Sequence, residues 1–238
     1  MYYFHDELNI FEKTSAMLTK SEKTFSIIFA IILLAELICD NIESLNSWHY
    51  LTKPLILISL IIFFLNQQNN LDTKSKIITL AALLFSLLGD ALLMFTNISS
   101  NYFIGGLLAF LMAHIMFILV FLRKKNTHKK ASFLILFLLI YGAGIFYFLK
   151  DGLGELLVPV IVYMMVILTM VITAFLRNES VSKMSYNLVF LGAIFFITSD
   201  SLLALNKFYK PFKTAGILIM LTYAIAQYLI VLGLKKQQ

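Results

Sequence analysis

The sequence predicts an all-α integral membrane protein of eight transmembrane helices, and three observations carry that expectation. The 238 residues are 60% hydrophobic and only 13% charged, with a mean hydropathy of +0.88, whereas a soluble domain is about half apolar and about a quarter charged. Apolar runs of roughly 15 to 23 residues recur along the chain, at or near the ~20 residues that cross a bilayer as helix. These runs are continuously apolar and do not alternate at period two, which favours a helical bundle over a barrel.

The elements follow in order. Residues 1–24 are polar, carry both charge signs and read as a cytoplasmic N-terminal tail. No short apolar stretch ending in a small-residue cleavage site follows, so the first run, about 25–40, reads as an uncleaved helix. The second, 51–66, has Pro54 near its start, and proline suits the first turn of a helix. The third and fourth, 77–96 and 103–122, carry Asp90 and His114 inside otherwise greasy sequence. The fifth, 131–149, is apolar throughout, and the sixth, 156–176, holds Tyr163. The seventh, 188–206, contains Asp200, and the eighth, 212–234, holds Tyr223 and Gln227 before a short tail at 235–238. The connections are too short for a further domain, so residues 25–234 form one transmembrane domain with halves at about 25–122 and 131–234.

Lysine and arginine set the expected orientation. With the N-terminus inside, 14 of the 19 basic side chains lie on the cytoplasmic side, including the block Arg123, Lys124, Lys125, Lys129 and Lys130. Both termini are then expected in the cytoplasm, with the protein in the cell (inner) membrane. The net charge of +6 is accounted for by those loops, and no nucleic-acid partner is expected. Cys39 is the single cysteine, which excludes an intramolecular disulfide and a cysteine metal cluster. No metal site or cofactor is expected, because the polar groups lack tight ligand spacing. Oligomeric state is not legible.

The segment ALLFSLLGDALLMF (82–95) aligns with GAIFFITSDSLLAL (192–205) at an offset of 110, placing Asp90 on Asp200. Gly106 falls on Gly216 at the same offset. This predicts a parallel 4+4 internal repeat about an axis along the membrane normal.

Asp90 and Asp200 are the residues least at home in such a chain, since intramembrane carboxylates are expensive and usually functional. Two carboxylates in a low-dielectric site do not both ionise readily, so one holds its proton. That supplies a general acid and a general base together. Glu36, Lys53, His114, Tyr163, Asn206 and Lys207 are the further candidates for the site, with the lysines suited to a phosphate head group. Lys207 lies seven residues, close to two turns, beyond Asp200 and is expected on the same helix face. Each also has a plain alternative: snorkelling for the lysines, interhelical hydrogen bonding for the histidine and tyrosine. Gly105, Gly106 and Gly192 are expected to be points of close helix packing.

Five segments in register, LTKPLILI, LLFSLLGDALLMF, FIGGLLAFLMAHIMF, PVIVYMMVILTM and GAIFFITSDSLLALNKF, resemble the YhhN family of membrane proteins. The resemblance runs from about residue 50 to 230 and implies an eight-helix fold. It also implies lysoplasmalogenase activity: hydrolysis of the vinyl ether of a lysoplasmalogen to a fatty aldehyde and glycerophosphoethanolamine or glycerophosphocholine. A lysophospholipid substrate drawn from membrane lipid is the partner so implied. Vinyl ether hydrolysis passes through an oxocarbenium ion, as glycoside hydrolysis does with its paired carboxylates. A proton-coupled transporter of a small or lipid-like solute is the alternative that parallel repeats and membrane carboxylates also fit. An intramembrane aspartyl protease fits less well, since Leu87 stands where a glycine is needed and no P-A-L motif is present.

Overall fold

A computed structural model describes residues 18–66 and 71–237; the first 17 residues of the expected N-terminal tail and Gln238 lie outside the described residues. Among the described residues there is no strand, and eight helices are long and apolar enough to cross a membrane, making this a multi-pass membrane protein. They are α1 Lys20–Asn41, α2 Asn46–Asn66, α3 Thr73–Leu93, α4 Ser100–Leu122, α5 Ser132–Leu149, α6 Leu157–Phe175, α7 Lys183–Ala204 and α8 Ala215–Lys235.

The helix ends explain where the elements differ from the apolar runs. α1 starts five residues before its run because Thr19 and Glu22 form a capping box, each side chain bonding the other's backbone N–H. α2 starts early too, behind a 3₁₀ turn at Glu43–Leu45. Pro54 therefore sits inside α2, not in its first turn, and removes the bond to the Tyr50 carbonyl. α3 ends at Leu93, which places Asp90 in its last turn, closer to the helix end than its run implies. α7 runs into a π-helical turn, Leu205–Tyr209, closed by the Lys210 N–H donating to the Leu205 carbonyl at 2.9 Å.

The tightest helix pairs are α3 with α4 and α7 with α8. Glycine makes both approaches possible: a Cβ on Gly106 would lie 2.7 Å from Leu93, and one on Gly192 only 3.0 Å from the Ala226 carbonyl. α4 also packs on α6, and α1 on α2 and α8. α8 is the most buried helix, while α5 buries only Leu138, Gly142 and Leu149 and lies at the edge. The parallel 4+4 repeat is not shown by this packing.

One end of the bundle is tied by polar clamps. Lys236, just past α8, donates to Glu22 of α1 at 2.7 Å, so the start of α1 and the end of α8 share this face. Asp72 caps α3 and pairs with Arg123 beyond α4 at 2.7 Å. Arg177, beyond α6, is fully buried and donates to Ser185 of α7 and to Gln237. Burial lowers the Arg177 guanidinium from its ordinary value to about 10, so it is charged at neutral pH. The carboxylates of Asp90 and Asp200 lie toward the opposite face, at the far ends of α3 and α7.

Candidate active site

Asp90 is 3% exposed, and its Oδ2 accepts a hydrogen bond from the Tyr223 hydroxyl of α8 at 2.9 Å. One turn earlier on α3 and one turn later on α8, Gln227 Nε2 donates to the Ser86 hydroxyl at 2.9 Å. Two bonds one helical turn apart thus pin α3 to α8. Buried polar groups need such partners, because an unmet one costs roughly 1–3 kcal/mol.

Asp200 takes a different tyrosine. Tyr163 of α6 donates to its Oδ2 at 2.5 Å. His114 of α4 brings Nε2 to 3.7 Å from the same oxygen, too long for a hydrogen bond, and both ring nitrogens of this fully buried histidine lack a partner. Its ring is held edge-on by Tyr163 at 5.3 Å and Phe196 at 4.6 Å between centroids. Tyr223 joins the two halves: Phe110 and Phe196 flank its ring at 5.7 and 5.5 Å, and its hydroxyl lies within electrostatic reach of both Asp90 and Asp200.

Only Asp200 of the two carboxylates lines an apolar cleft between α4, α5, α6 and α7. Its walls are Leu, Ile, Met and Phe, and its polar groups are few: Asp200, Tyr163, Tyr141 and Ser201. Tyr141 donates to the Ser201 hydroxyl at 2.7 Å, one residue from Asp200. A mostly apolar cleft with a few convergent polar groups has the lining typical of a site for an apolar ligand.

On the other side of Asp90 is a charged cluster. Glu36 of α1 is buried, accepts from the Thr52 hydroxyl at 2.5 Å and lies 2.8 Å from His49 Nδ1. That histidine contact lacks hydrogen-bond alignment. Asp40 stands 3.5 Å from the same nitrogen. Lys53 is one turn from His49 on α2, and Asp90 feels the charges of Lys53, Glu36 and His49. Among the described residues no three His, Cys, Asp or Glu side chains converge as a metal would require.

Asp90, Asp200, His114, Tyr163, Glu36 and Lys53 are thus gathered into one polar zone. Asn206 and Lys207 are placed elsewhere. Asn206 Oδ1 accepts from the Phe212 N–H at 3.2 Å and closes the connection to α8. Lys207 is exposed, its ammonium 5.1 Å from the centroid of Phe103 at the rim of the cleft, and it makes no ion pair with Asp200. The expected shared face assumed α-helical spacing; the π turn under-rotates residues 205–209 and carries Lys207 off it. The two lysines have different neighbours, Asp90 for Lys53 and Phe103 for Lys207. His49 and Tyr223 were not among the expected site residues. His49 sits in a polar flank that reads as loop, although its spacing of four from Lys53 was a usable signal.

The YhhN family matches residues 48–234, and the chain belongs to that family. A human protein, lysoplasmalogenase TMEM86B, is 28% identical over 152 residues, which is 64% of this chain and 61% of the human protein. The match therefore spans less than two thirds of that relative's length. No solved structure matches the chain.

Proposed function

We propose that this member of the YhhN family is a lysoplasmalogenase-like ether hydrolase acting on the vinyl ether of a lysoplasmalogen within the membrane. The observation that carries this reading is the Asp200–Tyr163 pair set into the wall of a cleft lined almost wholly by apolar side chains. The human lysoplasmalogenase relative supports it.

The chemistry needs one proton and one water. With Oδ2 of Asp200 occupied by Tyr163, Oδ1 carries the transferable proton. It passes to the second carbon of the vinyl ether, whose π pair forms the new C–H bond. The first carbon and the ether oxygen then share the positive charge of an oxocarbenium ion, and the Asp200 carboxylate lies beside it. Water adds to that carbon and returns a proton to Asp200. The resulting hemiacetal transfers its hydroxyl proton to the ether oxygen as the C–O bond breaks, giving a fatty aldehyde and the glycerophospho-alcohol. Asp90 acts across Tyr223, adding negative potential that stabilises the cation. In this reading Asp200 is the acid and Asp90 the electrostatic partner.

The test is aldehyde release from lysoplasmalogen by the purified protein in detergent. Hydrolysis in micelles requires no sealed compartment, so it separates this function from proton-coupled transport. Asp200→Asn is expected to lower kcat by roughly 10³-fold or more, within the range for a lost general acid. Asp90→Asn is expected to lower it less. Full activity in Asp200→Asn refutes the mechanism, and no aldehyde from the wild-type protein with several lysolipids refutes the function.

A further inference from the structure

A second concavity lies beyond the cleft rim, lined by Tyr147, Phe148, Lys150, Asp151 and Tyr209, with Phe208 shared between it and the main cleft. We infer that this aromatic, acid-bearing pocket is a head-group site for a trimethylammonium group, so that the preferred lipid is choline-headed. The inference rests on the lysolipid hydrolase reading and extends it to substrate selection.

The pocket has the required chemistry. Tyr147 and Tyr209 are exposed, and Phe148 stands edge-on to both, at 5.7 and 5.3 Å between ring centroids. Aromatic faces attract cations through the ring quadrupole, and quaternary ammonium groups are commonly recognised by such rings. Lys150 Nζ occupies the Tyr147 face, 5.1 Å from its centroid, which leaves Phe148 and the exposed Tyr209 as the rings for a ligand cation. Asp151 adds a carboxylate to the same lining. The floor is firm, because Gly152 lies so close to the Phe208 backbone that a Cβ there could not be accommodated. The loop after α5 and the π turn after α7 are thereby locked together.

The order of groups also fits a lipid. The apolar cleft holds the chain beside Asp200. Lys207, over Phe103 at the rim, stands where a phosphate follows the glycerol. The aromatic pocket comes next, where the ammonium follows the phosphate. A purely interfacial role for these rings, as a belt anchoring the protein at head-group depth, makes no distinction between head groups.

The experiment measures binding, not turnover, and so stands apart from the hydrolase reading. Non-cleavable 1-O-alkyl lysolipids of one chain length are titrated against the detergent-purified full chain, with choline, ethanolamine or glycerol attached to the phosphate. The choline lipid is expected to bind roughly tenfold more tightly than the glycerol lipid. Tyr209→Leu and Asp151→Asn together are expected to reduce that preference to within about twofold while leaving affinity for the glycerol lipid unchanged. An unaltered melting temperature shows that the double variant is folded; if it is not, Asp151→Asn alone is measured, with an intermediate preference expected. Equal affinities for all three lipids in the wild-type protein overturn the inference, as does a choline preference that survives the substitutions in folded protein. Binding with preference but no aldehyde release from true lysoplasmalogen would sink the hydrolase reading and spare the head-group site.

Discussion

At the scale of single residues, each carboxylate is defined by the hydroxyl it holds. Asp200 and Asp90 occupy matching places in the sequence but have Tyr163 and Tyr223 as separate partners, and only Asp200 meets the cleft. Tyr163→Phe keeps the ring against His114 and removes the bond to Oδ2. Hydrogen bonds to charged groups contribute about 1.5–3 kcal/mol, so kcat is expected to fall by roughly 10- to 100-fold with KM little changed. Steady-state aldehyde release checks both parameters; an unchanged kcat shows that the hydroxyl does not support the acid. The carboxylates were legible in the sequence because a charge inside Phe, Ile and Leu has few structural excuses. Their hydroxyl partners were less legible: Tyr163 stood among the candidates and Tyr223 did not, since a mid-span tyrosine reads the same whether it binds a neighbouring helix or a reacting group. Asn206 misled for a related reason: its proximity in sequence to Asp200 carried no information about the Phe212 N–H that it satisfies.

At the scale of elements, eight apolar runs became eight helices, because length and continuous hydropathy constrain a membrane segment strongly. Their ends were less legible. The capping box of α1, the position of Pro54 inside α2 and the π turn after α7 depend on local hydrogen bonds that hydropathy does not register. Close packing gives a sharp contrast between two glycines. Gly192→Val drives a side chain into the Ala226 carbonyl and Ile230, and overpacking of this kind costs about 1–3 kcal/mol. Gly144→Ala, in α5, meets nothing within 4 Å and is expected to stabilise by about 0.5–1 kcal/mol. Thermal unfolding in detergent should therefore shift down for the first and up for the second. The cap of α3 adds a pH signature. Ser75 hydrogen bonds, with Arg123 nearby, hold the exposed Asp72 carboxyl below its ordinary value. A depressed carboxyl contributes stability above its unfolded pKa and loses it as pH falls through the folded one. Asparagine also caps well, so Asp72→Asn isolates the charge: its melting deficit should be present at pH 7 and vanish toward pH 3.

At the scale of the whole molecule, the two ends of the bundle carry different groups. Glu22 with Lys236, and Asp72 with Arg123, draw the ends of α1, α8, α3 and α4 onto one face. The opposite face carries Asp200, the cleft rim and the aromatic pocket. The basic block at residues 123–130 belongs to the first face, and Lys53, Lys150, Lys207, Lys210 and Lys213 belong to the second. With 14 basic side chains against five, the positive-inside rule predicts termini in the cytoplasm and a site toward the outside. The single Cys39 makes this simple to test, since Cys39→Ser leaves a cysteine-free background. Into that background Lys130→Cys or Lys210→Cys is introduced, both at exposed positions on opposite faces. A membrane-impermeant maleimide is expected to label the Lys210→Cys protein in intact cells and the Lys130→Cys protein only after permeabilisation. The reverse pattern inverts the molecule. It would place the cleft within reach of the cytoplasmic leaflet, so that the lysolipid substrate enters from the inside, while the geometry around Asp200 stays the same.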